Sequence, residues 1–184
     1  LSDSRLLTRE NAALLIIDVQ EKLLAVMQSK EGIVENILKL IDFAKIVGLP
    51  IILTEQYPKG LGPTIREIRD KIPDVAPLEK TAFSCFGAEG FREALEKHSV
   101  STLIITGIES HVCVCQTALE ALDNGLRVCV ISDAISSRTL ENWRVGVERM
   151  RDNGAIISST EMLMFELLRD AKTPEFKEAQ PLLK

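Results

Sequence analysis

Short apolar runs alternate along this chain with apolar positions at helical spacing, and the alternation predicts the architecture. Residues 13–17 form a continuous apolar run, as expected of a strand buried on both faces of a parallel sheet. Val34, Ile37, Leu38, Ile41, Ala44 and Val47 then recur at helical spacing, and Gly48 followed by Pro50 ends that helix. Residues 50–54 read as a second strand, and residues 55–63, with Gly60, Gly62, Pro58 and Pro63, as a loop.

A short third strand is expected near 78–81, then a helix at about 88–97 and a fourth strand at 102–106. A helix opening near His111, a strand at 127–132, a helix at 142–152, a strand at 155–158 and a helix at 161–168 complete the pattern. Repeated β-α alternation implies right-handed crossovers. The expected fold is a three-layer α/β/α sandwich around a mainly parallel sheet of about six strands, Rossmann-like in topology. Ligands in such folds bind beyond the carboxyl ends of the strands, where strand order reverses.

That rule directs attention to three residues. The fourth strand ends in Thr106-Gly107, and Ile108-Glu109-Ser110 then opens a helix with Ser110 as N-cap and Cys113 in its first turn. Unpaired backbone N–H groups and the helix dipole favour a negative charge there, which would make Cys113 a thiolate. Val112, Cys115, Leu119 and Leu122 share one helix face, while Cys113, Gln116, Thr117 and Glu120 form a polar stripe. Cys115 therefore reads as core and Cys113 as the exposed thiol, although free cysteines also serve as small buried hydrophobes. Asp18 follows the first strand and is either a functional carboxylate in need of a partner or a loop anchor. Lys80, beside the third strand, would on its own be read as a solvated surface charge.

Composition narrows the function. The chain has 184 residues, 46% of them hydrophobic, enough for one domain with its own core. That domain is expected over residues 1–171. The tail at 172–184 reads as lying outside the helices of the main fold and could dock as an arm on a neighbouring subunit. Four cysteines without framework spacing, and an N-terminus unlike a signal peptide, point to a reducing, cytoplasmic compartment. No apolar run approaches the ~20 residues of a membrane span. A net charge of −5 and 4% aromatic residues argue against a nucleic-acid partner. No Gly-rich dinucleotide fingerprint follows the first strand, and there is no P-loop.

Three segments carry a family resemblance: IIDVQ at 16–20, KTAFSCF at 80–86 and TGIESHVCVCQTALEAL at 106–122. In order and spacing over about residues 10–168 they resemble the isochorismatase-like cysteine hydrolases, a superfamily that includes nicotinamidases and other small-amide hydrolases. The resemblance implies a triad in which Cys113 is the nucleophile, Asp18 its acid/base and Lys80 an electrostatic support. It also implies a cis peptide at Ile108-Glu109 and an oxyanion hole made by the backbone N–H groups of Glu109 and Cys113.

Metal-containing nicotinamidases carry an Asp-x-His after the second strand, where this chain has Glu55-Gln56-Tyr57; its only histidines are His98 and His111. Leu23 stands where nicotinamidases place a ring-packing aromatic, and residues 54–64, TEQYPKGLGPT, resemble a metal-free isochorismatase-domain subgroup. Neither a metal nor a cofactor is therefore expected. Gln20, Glu55, Tyr57, Phe83 and His111 are the candidate pocket walls, each as fitted to packing or loop anchoring as to substrate contact.

The expected activity is a metal-independent cysteine hydrolase acting on a small amide-type C–N bond, with a small-molecule substrate and assembly as a homo-oligomer. The alternative is a thiol redox sensor or an inactive binding module on the same fold. A Cys113–Cys115 disulfide switch would require the helix to unwind, since two residues roughly 200° apart on a helix cannot meet disulfide geometry.

Overall fold

The computed structural model describes residues 5–183. Its strands are β1 (Ala12–Ile17), β2 (Ile51–Gln56), β3 (Leu78–Lys80), β4 (Thr102–Ile108), β5 (Arg127–Ser136) and β6 (Ile156–Ser158). They form one all-parallel sheet in the order β3-β2-β1-β4-β5-β6. The helices are α1 (Glu21–Leu24), α2 (Lys30–Val47), α3 (Pro58–Leu61), α4 (Arg66–Lys71), α5 (Phe91–Lys97), α6 (Cys115–Asp123), α7 (Leu140–Asp152), α8 (Thr160–Leu168) and α9 (Pro174–Ala179).

Alternation along β1 builds both cores. Ala12, Leu14 and Ile16 face a cluster with Ile37, Ile41 and Phe43 of α2 and Leu163 and Leu167 of α8. Ala13, Leu15 and Ile17 face the other layer, with Phe91 and Leu95 of α5, Ala118 and Ala121 of α6, and Val147 and Met150 of α7. The three-layer α/β/α fold read from the sequence is the fold observed. The order of the sheet reverses between β1 and β4, so the cleft beyond their carboxyl ends is the topological switch point. No helix among the described residues is long and apolar enough to cross a membrane.

Several local expectations are corrected. β5 runs on past Ser132 to Ser136, with a register shift against β4 between Ile105 and Gly107. The polar Ser132-Asp133 pair marks this irregularity, which interrupts the apolar run in the sequence. Residues 55–63 are not simply a loop, because Pro58 opens α3 from a first-turn position that tolerates its missing N–H. The segment after Asp170 also contains a helix. In α9 Thr173 caps the N–H of Phe176, Ala179 is buried, and Phe176, Leu182 and Leu183 pack against the α2 side of this chain's own core.

Candidate active site

Register places the candidate residues. Ile17 pairs with Thr54 of β2 on one side and Gly107 of β4 on the other, so Asp18 emerges from the end of β1 at the switch point. A Cβ at Gly107, whose φ is +110°, would lie 2.1 Å from the Ile17 carbonyl oxygen, so only glycine lets the two strands close here. Gln56 pairs with Lys80, which brings the lysine beside the same rim.

The sheet and its flanking turns join Asp18 to Lys80. Lys80 Nζ lies 2.7 Å from Asp18 Oδ2, and both side chains are fully buried. The ammonium also donates to Gln56 Oε1 at 2.6 Å and to the carbonyls of Phe83 at 3.0 Å and Ala82 at 3.3 Å. These acceptors occupy its three protons within the chain, so it acts on neighbouring charge rather than as a free donor. Asp18 Oδ1 accepts from the Thr54 hydroxyl at 2.7 Å, and the Asp18 N–H donates to the Thr54 carbonyl at 3.2 Å.

Cys113 completes the group, its thiol close enough to Asp18 and Lys80 to feel the charge of both. Its setting differs from the expected one in two respects. Ser110 is not a side-chain cap: its hydroxyl is buried and without a partner, and residues Ser110–Val114 form a single π-helical turn before α6 begins. The wider turn changes which faces of the helix are covered, and Cys113 is only 6% exposed rather than open to solvent. Thr117, expected on a polar stripe, is buried and accepts the Cys85 N–H at 2.9 Å. The peptide bond Ile108-Glu109 is cis, as the resemblance implies. The Glu109 carbonyl accepts from the N–H groups of both Val112 and Val114, which fixes the path of the turn around Cys113.

Burial works against a preformed thiolate at Cys113. Burial, with the Asp18 charge next, pushes the Cys113 thiol up to about 12. Burial also holds the Asp18 carboxyl above its usual value, against the lowering effect of Lys80 and the hydrogen bonds from Lys80, Thr54 and Cys113. Burial pulls the Lys80 ammonium down, but the charges of Asp18, Cys113 and Cys85 outweigh it, and the group stays protonated. Burial thus disfavours charge on both the thiol and the carboxyl, and Lys80 is the neighbour that favours a charged Asp18. Cys85 is likewise pushed up to about 12 by burial and lies near Asp18, but it is 0% exposed, behind Thr54. Of these two thiols, only Cys113 touches the surface.

The five candidate wall residues separate into two groups. Gln20 and Glu55 are buried and bind their own chain. The Gln20 amide donates to the carbonyls of Gln56 and Gly62 and accepts the Gln56 N–H, while Glu55 Oε1 accepts both the N–H and the hydroxyl of Thr64 at 2.7 Å. Together they clamp the segment between β2 and α4. Tyr57 and Phe83 stand on the rim, 54% and 53% exposed. His111 is half-buried, its Nδ1 2.9 Å from the Ser137 hydroxyl. The Glu109 side chain accepts from the backbone N–H and the Nε of Arg138, both at 3.1 Å, and so ties the nucleophile turn to the loop after β5.

Thr54, Gln56 and Cys85 were not among the sequence candidates, yet they touch or border the Asp18–Lys80 pair. Strand alternation was the available signal: Thr54 and Gln56 share the face of β2 opposite to that of Glu55. No group of three or more His, Cys, Asp or Glu side chains among the described residues is placed to hold a metal ion.

Comparison with known proteins gives a consistent result. The family model for the isochorismatase domain matches residues 12–162. The chain is 38% identical over 176 residues to the mouse isochorismatase domain-containing protein 2A, covering 95% of this chain and 84% of the relative. It is 37% identical to isochorismatase family protein 1B of Dictyostelium discoideum, covering 95% and 87%. Among solved structures, the MAR1 ribonuclease of Caenorhabditis elegans superposes with a TM-score of 0.89 at 36% identity, covering 96% of this chain and 91% of that one. The YcaC gene product of Escherichia coli, an octameric hydrolase of unknown specificity, superposes at 0.91 with 28% identity, covering 100% and 91%. YcaC of Pseudomonas aeruginosa, solved with hexane-2,5-diol and covalent acrylamide, also superposes at 0.91, with 27% identity and coverage of 99% and 93%.

Proposed function

This chain belongs to the isochorismatase family, and on that premise we propose that it is a metal-independent cysteine hydrolase cleaving a small amide-type C–N bond. The observation that carries the reading is the contiguous thiol, carboxylate and ammonium of Cys113, Asp18 and Lys80 at the switch point. A redox sensor needs a readily ionised, accessible thiol. Cys113 is instead buried, its thiol pushed up to about 12 beside the Asp18–Lys80 pair, an arrangement suited to acyl transfer with Asp18 as the base.

The proposed cycle follows from proton positions. As Cys113 sulfur attacks the substrate carbonyl, its proton passes to Asp18 and the carbonyl oxygen becomes an oxyanion held by the N–H groups of Glu109 and Cys113. Asp18 returns that proton to the nitrogen as the C–N bond breaks, releasing an amine and leaving a thioester on Cys113. Water then attacks the thioester, its proton going to Asp18, and collapse of the intermediate restores the thiol and releases a carboxylic acid. Lys80 stays an ammonium throughout and steadies the carboxylate in its charged state.

Buried Gln20 and Glu55 shape the wall through the segment they clamp, whereas Tyr57, Phe83 and His111 are the proposed substrate contacts. The net charge of −5 favours a small molecule over a polyanion. Assembly as a homo-oligomer is proposed on the octameric E. coli neighbour and on Met162 and Phe165, which stand exposed on the outer face of α8. The activity is tested by incubating the protein with a panel of small amides and following amine release. Turnover lost in Cys113→Ala, with the fold retained, supports the reading. A Cys113→Ala protein as active as the parent overturns it.

A further inference from the structure

Thr54 touches Asp18 twice. Its carbonyl accepts the Asp18 N–H at 3.2 Å, and its hydroxyl donates to Asp18 Oδ1 at 2.7 Å. Asp18 has a φ of +54°, a left-handed conformation uncommon for a residue with a side chain, so both contacts bear on how its carboxylate is presented. The threonine is fully buried in β2, on the face it shares with Gln56, which binds the other end of the ion pair through Lys80.

A second buried group sets the direction of the hydroxyl proton. Cys85 Sγ lies 3.8 Å from Thr54 Oγ1, within reach of an S–H donor. The Cys85 S–H donates toward the hydroxyl oxygen, which leaves the threonine's own proton for Asp18. The carboxylate has no lone proton to offer in return when charged. Cys85, Thr54 and Asp18 therefore form a polarised line running from the core to the nucleophile.

We propose that Thr54 is the positioning residue of Asp18, its hydroxyl fixing Oδ1 while Lys80 fixes Oδ2, and that Cys85 orients that hydroxyl. This rests on the reading of Asp18 as the base for Cys113. The charged or titratable groups facing Asp18 are Lys80, Cys113 and Cys85. Lys80 supplies the charge, and Thr54 supplies the neutral donor that holds the carboxylate in its ionised form. A carboxylate deprived of that donor protonates more readily and turns more freely, so at a given acid pH less of it is charged and aimed to accept the thiol proton. The second cysteine of the site thus has a role that requires no redox chemistry.

The test is the pH profile of Cys113 alkylation by iodoacetamide in the full chain, with the modified residue confirmed by peptide mapping. Thr54→Val keeps the volume and suits a strand. It should move the acid limb upward by about one pH unit and slow alkylation about tenfold on that limb, since a hydrogen bond to a charged group is worth a shift of this order. Thr54→Ser should restore the parent profile, and Cys85→Ala should give a smaller shift of the same sign. Should valine not fold, Thr54→Ala read against Thr54→Ser makes the same comparison. A Thr54→Val profile superimposed on the parent, or a Thr54→Ser profile that follows valine, overturns the proposal. Asp18→Asn separates the two claims: if it alkylates like the parent, the base assignment fails; if it is slowed while Thr54→Val is not, only the role of Thr54 fails.

Discussion

A methyl group at Gly146 would lie 2.9 Å from the carbonyl oxygen of Ser110, so α7 rests directly on the turn that carries the nucleophile. The same Cβ would come within 3.0 Å of His111 Cα, and neither neighbour is a flexible side-chain end. Gly146→Ala should therefore displace the turn, destabilise the protein by about 1–3 kcal/mol and slow Cys113 alkylation. Gly32→Ala is the control, because nothing lies within 4 Å of its Cβ position in α2, and there alanine should be neutral or stabilising by up to about 1 kcal/mol. Urea unfolding and alkylation rates check both. Equal behaviour of the two variants would contradict the close approach.

The pH dependence of Cys113 reactivity should carry the signature of its neighbour. Asp18 accepts a proton only when charged, and its carboxyl is held above 3.8, so alkylation should fall as pH falls through that raised value. The thiol itself is pushed up to about 12, so no separate rise is expected at the ordinary thiol value of about 8.5. Rates measured from pH 4 to about 10 check this. A single rise centred near 8.5 and unchanged in Asp18→Asn would indicate an ordinary thiol.

Loss of Lys80 should be costly to the fold. Lys80→Met leaves the Asp18 carboxylate buried without its counter-charge, a change that typically destabilises by about 3–5 kcal/mol. Asp18 then binds its proton still more readily when folded than when unfolded. The deficit should therefore shrink in acid and grow as pH rises through the raised carboxyl value. In Lys80→Met combined with Asp18→Asn, much of the stability should return, as denaturant midpoints would show. A single variant as stable as the parent at neutral pH would mean that the pair is not the buried, coupled unit described.

The sequence made the large features plain because they depend on period and order. Both faces of β1 are buried, so its apolar run has no polar interruption, and the Gly48-Pro50 stop to α2 is local chemistry. Asp18 and Lys80 were legible as members of a motif. Their contact was not, since it spans 62 residues and depends on β2 lying between their strands. Of the two roles open to Glu55 the structure shows the loop anchor: it turns away to hold Thr64, while Thr54 and Gln56, which no motif singles out, turn toward the site. Helical spacing assumes an α-turn from Ser110, and the π-turn there removes both the expected cap and the exposure of Cys113.

The central claim is that Cys113 carries the acyl group of the substrate, and mass spectrometry of the protein quenched during amide turnover tests it most directly. An added mass equal to the acyl fragment, mapped to the peptide containing Cys113 and absent from Cys113→Ala, is the predicted result. Amine release with no adduct on Cys113 under conditions where deacylation is the slow step, or an adduct on another residue, would contradict it.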